Sequence, residues 1–307
     1  MSERPFIGQD MPGNCLLSII IPFFNAETTI RRTMESLSNV STGAGERVEV
    51  IMVDDGSDDG GSRVASAMKQ ELPHLSITLM TQQNAGTSAA RNAGLMRARG
   101  EWVFFLDADD ELAFDPVPFI EKHTDASCLA FAVRYYLGSE PRGISRPVSV
   151  NRENHLAVFT SRNAVAVSGV IFRKDRMDNY FDPQYRFLED WLFWIQNHRI
   201  FEVMKVFPDV SSAVIHSHGA NKTADREKHG KFRRLVAEKV LSDFGPRLAP
   251  QQKNNLLIQS RIGMVQEGLK VPADTFFLFP CNALLYLKML AYVLFGKRLA
   301  SLDLYGS

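Results

Sequence analysis

Residues 48–57 read VEVIMVDDGS and residues 100–110 read GEWVFFLDADD. Each stretch is a short apolar run that stops at a pair or triplet of aspartates. Val48 to Val53 and Trp102 to Leu106 are too short for helices and rich in β-branched or aromatic residues, so both read as buried strands. Upstream, Leu16 to Pro22 (LLSIIIP) has the same character, and Leu75 to Thr81 makes a further strand. Helical spacing fills the gaps. Ile30, Met34 and Leu37 fall on one face of a helix over 25–37 that Thr28 or Thr29 can cap, and Val64 and Met68 mark a second helix. Thr87 to Arg99 is a third, set between Gly86 and Gly100. Strands alternating with helices of this length predict βαβ units and a parallel sheet.

Beyond Phe114 the alternation stops. Further strands are expected over 127–136, 166–173 and 212–215, and helices over 187–198 and 222–244. The chain of 307 residues divides into an N-terminal tail (1–14), a main domain (15–220, with halves 15–115 and 116–220) and a helical C-terminal region (221–307).

Composition excludes several classes. With 35 basic and 35 acidic residues there is no global footprint for nucleic acid. Cys15, Cys128 and Cys281 have neither disulfide nor zinc spacing and read as thiols in a reducing compartment. The polar stretch from Met1 to Asn14 has no signal-peptide core, so the catalytic part is expected to stay in the cytoplasm. No GxGxxG follows the first strand, and neither a P-loop nor a nucleophile elbow is present.

In an open α/β sheet, ligands bind beyond the carboxyl ends of the strands. Asp54-Asp55 and Asp107-Ala108-Asp109-Asp110 stand at two such ends. Asp-rich turns and helix caps account for one cluster on their own. Two clusters at one edge would repel unless a cation or bound donors compensate. Mg²⁺ or Mn²⁺ takes a few carboxylate oxygens and completes its shell with water and phosphate, which matches a spaced Asp-x-Asp gripping a nucleotide diphosphate.

The succession SIIIPFFNAE (18–27), VDDGSDDG (53–60), NAGTSAARNAG (84–94) and GEWVFFLDADD (100–110) resembles the nucleotide-binding half of family-2 glycosyltransferases of the GT-A fold, over residues 16–112. The resemblance implies an α/β, Rossmann-like, mostly parallel sheet flanked by helices, with a helical C-terminal extension. It also implies inverting transfer from a nucleotide-sugar, with uracil the base in many members. Pro22, Phe24, Asn25 and Glu27 would line the nucleotide pocket, Asp55 would accept from the base, and Asp54 would orient the loop. Asp107, with Ala108 beside it, would lie near the ribose or a metal-bound water, and Asp109 would ligate the metal, while Asp110 also fits a helix cap. Asn84, Gly86 and the following helix start face the same ligand, and Arg91 fits pairing with the diphosphate, bracing Asp107, or a plain structural salt bridge.

Leu188-Glu189-Asp190-Trp191 resembles the family's Glu-Asp pair about eighty residues after the Asp-x-Asp. By that resemblance Asp190 is the general base, with Glu189 orienting it or touching the acceptor. Flanking Phe187, Trp191 and Trp194 would raise a carboxyl by desolvation, whereas a plain helix start explains the acids as well. Ser168 to Lys174 looks like the acceptor-side strand, its glycine admitting the acceptor. His216 and His218 share a face if extended, and some relatives complete the metal shell with a histidine here; His218 is carried forward with Asp107 and Asp109 as the metal set. No Gln-x-x-Arg-Trp motif is present, which favours addition of one or a few sugars.

The basic stretch 222–239 reads as a solvated helix face or a contact with an anionic membrane or lipid-linked acceptor. Phe276 to Phe295 is apolar, but Pro280, Asn282 and Lys288 rule out a span, leaving core packing, a homodimer contact or peripheral membrane contact at the inner face. The expected partners are therefore a nucleotide-sugar and a glycan or lipid-linked glycan acceptor. A sugar-nucleotide nucleotidyltransferase would need a glycine- and lysine-rich loop where Phe23-Phe24-Asn25 stands, and a non-catalytic nucleotide-sugar-binding module would show no turnover.

Overall fold

The structure is a computed structural model and describes residues 15–41, 47–217 and 225–270. Four strands form a parallel block: β1 (Leu17–Phe23), β2 (Val48–Asp54), β3 (Ser76–Thr81) and β4 (Trp102–Phe105). β1 lies between β2 and β4, with Phe23 opposite Asp54 and Ile20 opposite Phe105, so the segments after β2 and β4 leave the sheet at one edge. β1 and β2 are buried along their whole length, as continuous apolar runs covered on both faces should be.

Between these strands run α1 (Ile30–Glu35), α2 (Gly61–Glu71) and α3 (Thr87–Arg97). α1 is shorter than the helix expected over 25–37. Residues 24–29 instead form a loop held by the turn after β2, and residues 36–39 tighten into a 3₁₀ turn. Thr29 stands at the cap position, but its hydroxyl bonds the Ala26 carbonyl at 3.4 Å and caps no helical amide.

The remaining strands are β5 (Glu111–Leu112), β6 (Cys128–Leu137), β7 (Glu140–Ser145), β8 (Val170–Arg173) and β9 (Met204–Ser217). Among the described residues the sheet has nine strands in the order β3-β2-β1-β4-β8-β6-β9-β5, with β7 added to β6. β8 runs antiparallel to both β4 and β6, and β9 runs parallel to β6. The expected strand over 166–173 is split, since 167–169 form a 3₁₀ turn before β8. The expected strand over 212–215 is the end of the longer β9. The helices α4 (Val117–Lys122) and α5 (His155–Ser161) lie outside the sequence expectations, whereas α6 (Glu189–Gln196) and α7 (Arg226–Phe244) fall within the expected helices and α8 (Pro250–Gln266) lies in the C-terminal region expected to be helical.

Alternate residues of each strand point to opposite faces and build two cores. Ile20, Ile51, Val103 and Phe105 pack with α3, α5 and α6, and Val236, Ala237 and Val240 of α7 join that cluster with Leu256 of α8. Leu17, Ile19, Val50 and Met52 pack on the other side with α1 and α2. The basic stretch is largely paired within the fold: Lys228 with Asp225, Arg234 with Glu238 and Glu267, and Lys239 with Asp243. Among the described residues no helix is long and apolar enough to cross a membrane; the 276–295 tail and the 1–14 tail lie outside those residues.

Candidate active site

The edge beyond β2 is built by two adjacent carboxylates with separate partners. Asp54 Oδ1 accepts from the Ser57 amide at 2.8 Å and Oδ2 accepts from the Ser62 hydroxyl, so Asp54 holds the loop leading into α2. Burial alone would push this carboxyl up; the bonds from Ser57 and Ser62 outweigh it and hold it below the usual range. Asp55 turns the other way. Its Oδ1 accepts from Gln82 Nε2 (2.7 Å) and the Ala85 amide (2.9 Å), and its Oδ2 accepts from the Gly86 amide (2.7 Å). Gly86 adopts φ +92°, a conformation open to glycine, at the head of α3. Its amide is thus directed at Asp55 and not at a phosphate.

The loop after β1 lies against this edge. Pro22 is buried at the strand end, while Phe24, Asn25, Glu27 and Asn84 are exposed. Asn25 has φ +51°, which asparagine tolerates better than most residues. Its amide donates to Ser57 Oγ, its Oδ1 accepts from the Asp58 amide (both 3.0 Å), and the Glu27 amide donates to Asp59 at 2.8 Å. The two loops are therefore laced into one rim.

Beyond β4, Asp107 is partly exposed, Ala108 is buried, Asp109 is partly exposed and Asp110 is buried. Burial, then the neighbouring Asp107 and Asp109 carboxylates, push the Asp110 carboxyl well above its ordinary value. The His216 amide donates to Asp110 at 3.2 Å, and the His216 ring bonds Glu111 at 2.6 Å. Arg32 reaches the Asp109 carbonyl at 2.6 Å and lies 3.4 Å from Glu111. His218 lies outside the described residues, and among those described no three His, Cys, Asp or Glu side chains are arranged to hold a metal.

Arg91 joins this edge to the second half of the fold. It is buried on α3, with its guanidinium 5.4 Å from the Phe181 ring centre and 5.9 Å from that of Phe105. One nitrogen donates to Asp107 and the other to Glu189, each at 2.8 Å. Of the roles compatible with its sequence position, this geometry is bracing, and it spans two carboxylates.

Asp190 sits beside Glu189 at the start of α6 and faces elsewhere. Its Oδ2 accepts from Asn163 Nδ2 and its Oδ1 from the Trp191 amide, both at 2.8 Å. Desolvation and the adjacent Glu189 push the Asp190 carboxyl up to about 6, against the opposing pull of Asn163 and Arg91. Leu188, immediately before the pair, has φ +56°, an unusual conformation for a branched side chain and of a kind that collects at functional sites. Trp191 and Trp194 point into the core, and the Trp191 ring donates to the Phe159 carbonyl at 2.7 Å.

Gly169 does not open a path for an acceptor. It is buried, and a Cβ there would stand 3.3 Å from the Phe131 carbonyl, so the glycine serves strand packing. Sequence reasoning missed Gln82, Asn163 and Arg32. Gln82 follows a strand directly, as do the two aspartate clusters, and that position was a usable signal; Asn163 carries none.

The profile described as "Glycosyl transferase family 2" matches residues 18–218. The minor teichoic acid biosynthesis protein GgaA of Bacillus subtilis is 30% identical over 191 residues, 59% of this chain and 43% of that protein. The chain thus spans less than half the length of this curated relative. In overall shape it is similar to the Staphylococcus aureus TarS fragment 1–349, with a TM-score of 0.61 at 23% identity, covering 84% of this chain and 76% of the other. The same fragment in complex with UDP-GlcNAc gives 0.59 at 20% identity (90% and 80% covered). A mannosyltransferase from Pyrobaculum calidifontis in complex with GDP-Man and Mn²⁺ gives 0.55 at 17% identity (94% and 80% covered). The chain belongs to glycosyltransferase family 2 and has the GT-A fold of these neighbours.

Proposed function

We propose that this family-2 glycosyltransferase moves a sugar, with inversion, from a uridine-diphospho-sugar to a glycan or lipid-linked glycan acceptor, with Asp190 as general base. The observation that carries the proposal is Asp190 itself: a carboxyl raised to about 6, held by Asn163 at the head of α6 and standing next to the residue that Arg91 ties to the β4 edge. A base working near neutral pH is most effective with such a value. Its task is to take the proton of the acceptor hydroxyl as that oxygen attacks the anomeric carbon from the face opposite the leaving diphosphate. Asp55, with Gln82 and the Gly86 turn, forms the pocket for the base; the 22–27 loop covers the nucleoside; Asp107 lies toward the ribose.

The β4 edge fits a divalent cation. Asp107 and Asp109 offer hard oxygen ligands, and Asp110, raised first by burial and then by those two carboxylates, stands beside them, so a cation would relieve their mutual repulsion. Bound there, Mn²⁺ or Mg²⁺ would neutralise charge on the departing diphosphate. The UDP-GlcNAc complex of TarS supports the uridine donor, and the teichoic-acid role named for GgaA supports a surface-polymer acceptor.

The test is purified protein with Mn²⁺ and a panel of sugar nucleotides, read by nucleotide release and by product. UDP release from a UDP-sugar, lost on chelation, is the expected result. If no sugar nucleotide is either hydrolysed or used for transfer, the proposal falls.

A further inference from the structure

The cleft holds more negative than positive charge. Asp107, Glu189 and Asp190 surround a single buried cation, Arg91, whose two terminal nitrogens are already bonded to carboxylates. Arg32 is likewise engaged, with the Asp109 carbonyl and Glu111. Arg91 is thus committed to protein carboxylates, and Arg32 is held at the Asp109–Glu111 turn.

Arg186 is available. It is exposed and makes no hydrogen bond or ion pair among the described residues. Its guanidinium lies over Gly86, with Cζ 3.9 Å and Nη1 4.0 Å from the place a Cβ on that glycine would occupy. Gly86 is the residue whose amide grips Asp55. Arg186 therefore stands over the turn that closes the Asp55 pocket, on the segment that leads into Glu189 and Asp190.

The backbone on both sides of Arg186 is clamped. The Tyr185 carbonyl accepts from Ser88 Oγ of α3 at 3.1 Å, and Phe187 stacks on Phe232 of α7 at 5.4 Å between ring centres, inclined by 24°. Tyr185 meets the same Phe232 ring edge-on at 6.4 Å. The chain is thus fixed where Arg186 leaves it, while the long side chain remains free to close on a ligand.

We propose that Arg186 binds the diphosphate of the nucleotide-sugar donor and holds its charge as it departs. A guanidinium suits that task, since its fork pairs two phosphate oxygens at once. The inference rests on the donor reading given above.

The experiment is calorimetric titration of UDP into wild type, Arg186→Ala and Arg186→Lys in Mn²⁺ buffer. Binding of uridine is followed in parallel by NMR, and GDP and dTDP with their nucleosides serve as alternative probes. Arg186→Ala should weaken the diphosphate roughly 10- to 100-fold, the worth of one charge-assisted contact, and leave the nucleoside unchanged. Arg186→Lys should recover part of the loss, and the melting temperature of both variants should match wild type because the side chain is exposed. Unchanged diphosphate binding in Arg186→Ala overturns the proposal, as does an equal loss of nucleoside and diphosphate. If wild type binds none of the three diphosphates, the donor reading itself fails and this proposal with it.

Discussion

Replacing Asp190 by asparagine should slow transfer severely and make the protein more stable. The carboxyl is raised from 3.8 to about 6, so ionising it at neutral pH costs the folded state free energy. Two units correspond to roughly 3 kcal/mol at most; partial solvent access and the shared titration with Glu189 bring the expected value to about 1 kcal/mol. The site accepts the amide. Asn163 Oδ1 is buried without a partner, so turning that side chain over presents an acceptor to the new carboxamide, while the Trp191 amide keeps its bond to the remaining oxygen. The sign follows from the raised value. Wild type holds this stability below about pH 4 and loses it as pH rises through about 6, whereas Asp190→Asn has no such loss. The melting temperature of the variant should equal wild type near pH 4 and exceed it by about 2 °C near pH 8. Turnover should fall roughly 10²- to 10⁴-fold, the range for a lost general base, with UDP affinity unchanged. A variant that keeps wild-type turnover, or one less stable than wild type at both pH values, refutes the reasoning.

Other consequences are as direct. Arg91→Met strands two carboxylates and should cost about 3–5 kcal/mol in urea denaturation; since Arg91 lowers Asp190, it should also move the acid limb of the pH–rate profile upward from about 6. Gly100→Ala places a methyl 2.4 Å from the Ser18 nitrogen and 2.7 Å from the Leu17 carbonyl carbon; backbone cannot step aside cheaply, and thermal melting should show a loss of about 3 kcal/mol. Burial works against the Glu49 charge, but bonds from Ser18 and Arg99 outweigh it and hold the carboxyl below 4.5. Its contribution is present above that value and disappears as pH falls through the lowered one, so Glu49→Gln should flatten the acid side of a plot of melting temperature against pH.

The parallel block was legible because its strands are covered on both faces and so read as unbroken apolar runs; β1 and β2 are buried at every position. β7 shows the opposite case. All six of its residues are exposed, and it exists because β6 offers an edge to pair with, a fact no local pattern records. α1 came out short for a related reason: Asn25 and Glu27 have helical neighbours in sequence, but Ser57 and Asp59 hold their backbone in a loop. In the site, the aspartates could be found because strand ends mark them. Their partners could not. Asn163 meets Asp190 across 27 residues, and Arg91 meets Glu189 across 98, contacts set by how α3, α6 and the segment before β8 cross.

That crossing also explains why the acidic pair has an order. Neighbouring helix positions point about 100° apart, so two adjacent acids at the head of α6 cannot serve one partner. Glu189 points to α3 and is engaged by Arg91, which neutralises it and ties it to Asp107. Asp190 points to Asn163, which donates one bond and leaves the carboxylate without a cation of its own. Arg91 acts on it only from a distance, too weakly to cancel the desolvation that raises it. In the mechanism proposed above, the arginine that ties Glu189 to Asp107 leaves Asp190 as the acid to serve as base. Exchanging the two residues would put the longer side chain at Asn163 and the shorter one out of reach of the guanidinium, and neither role would survive.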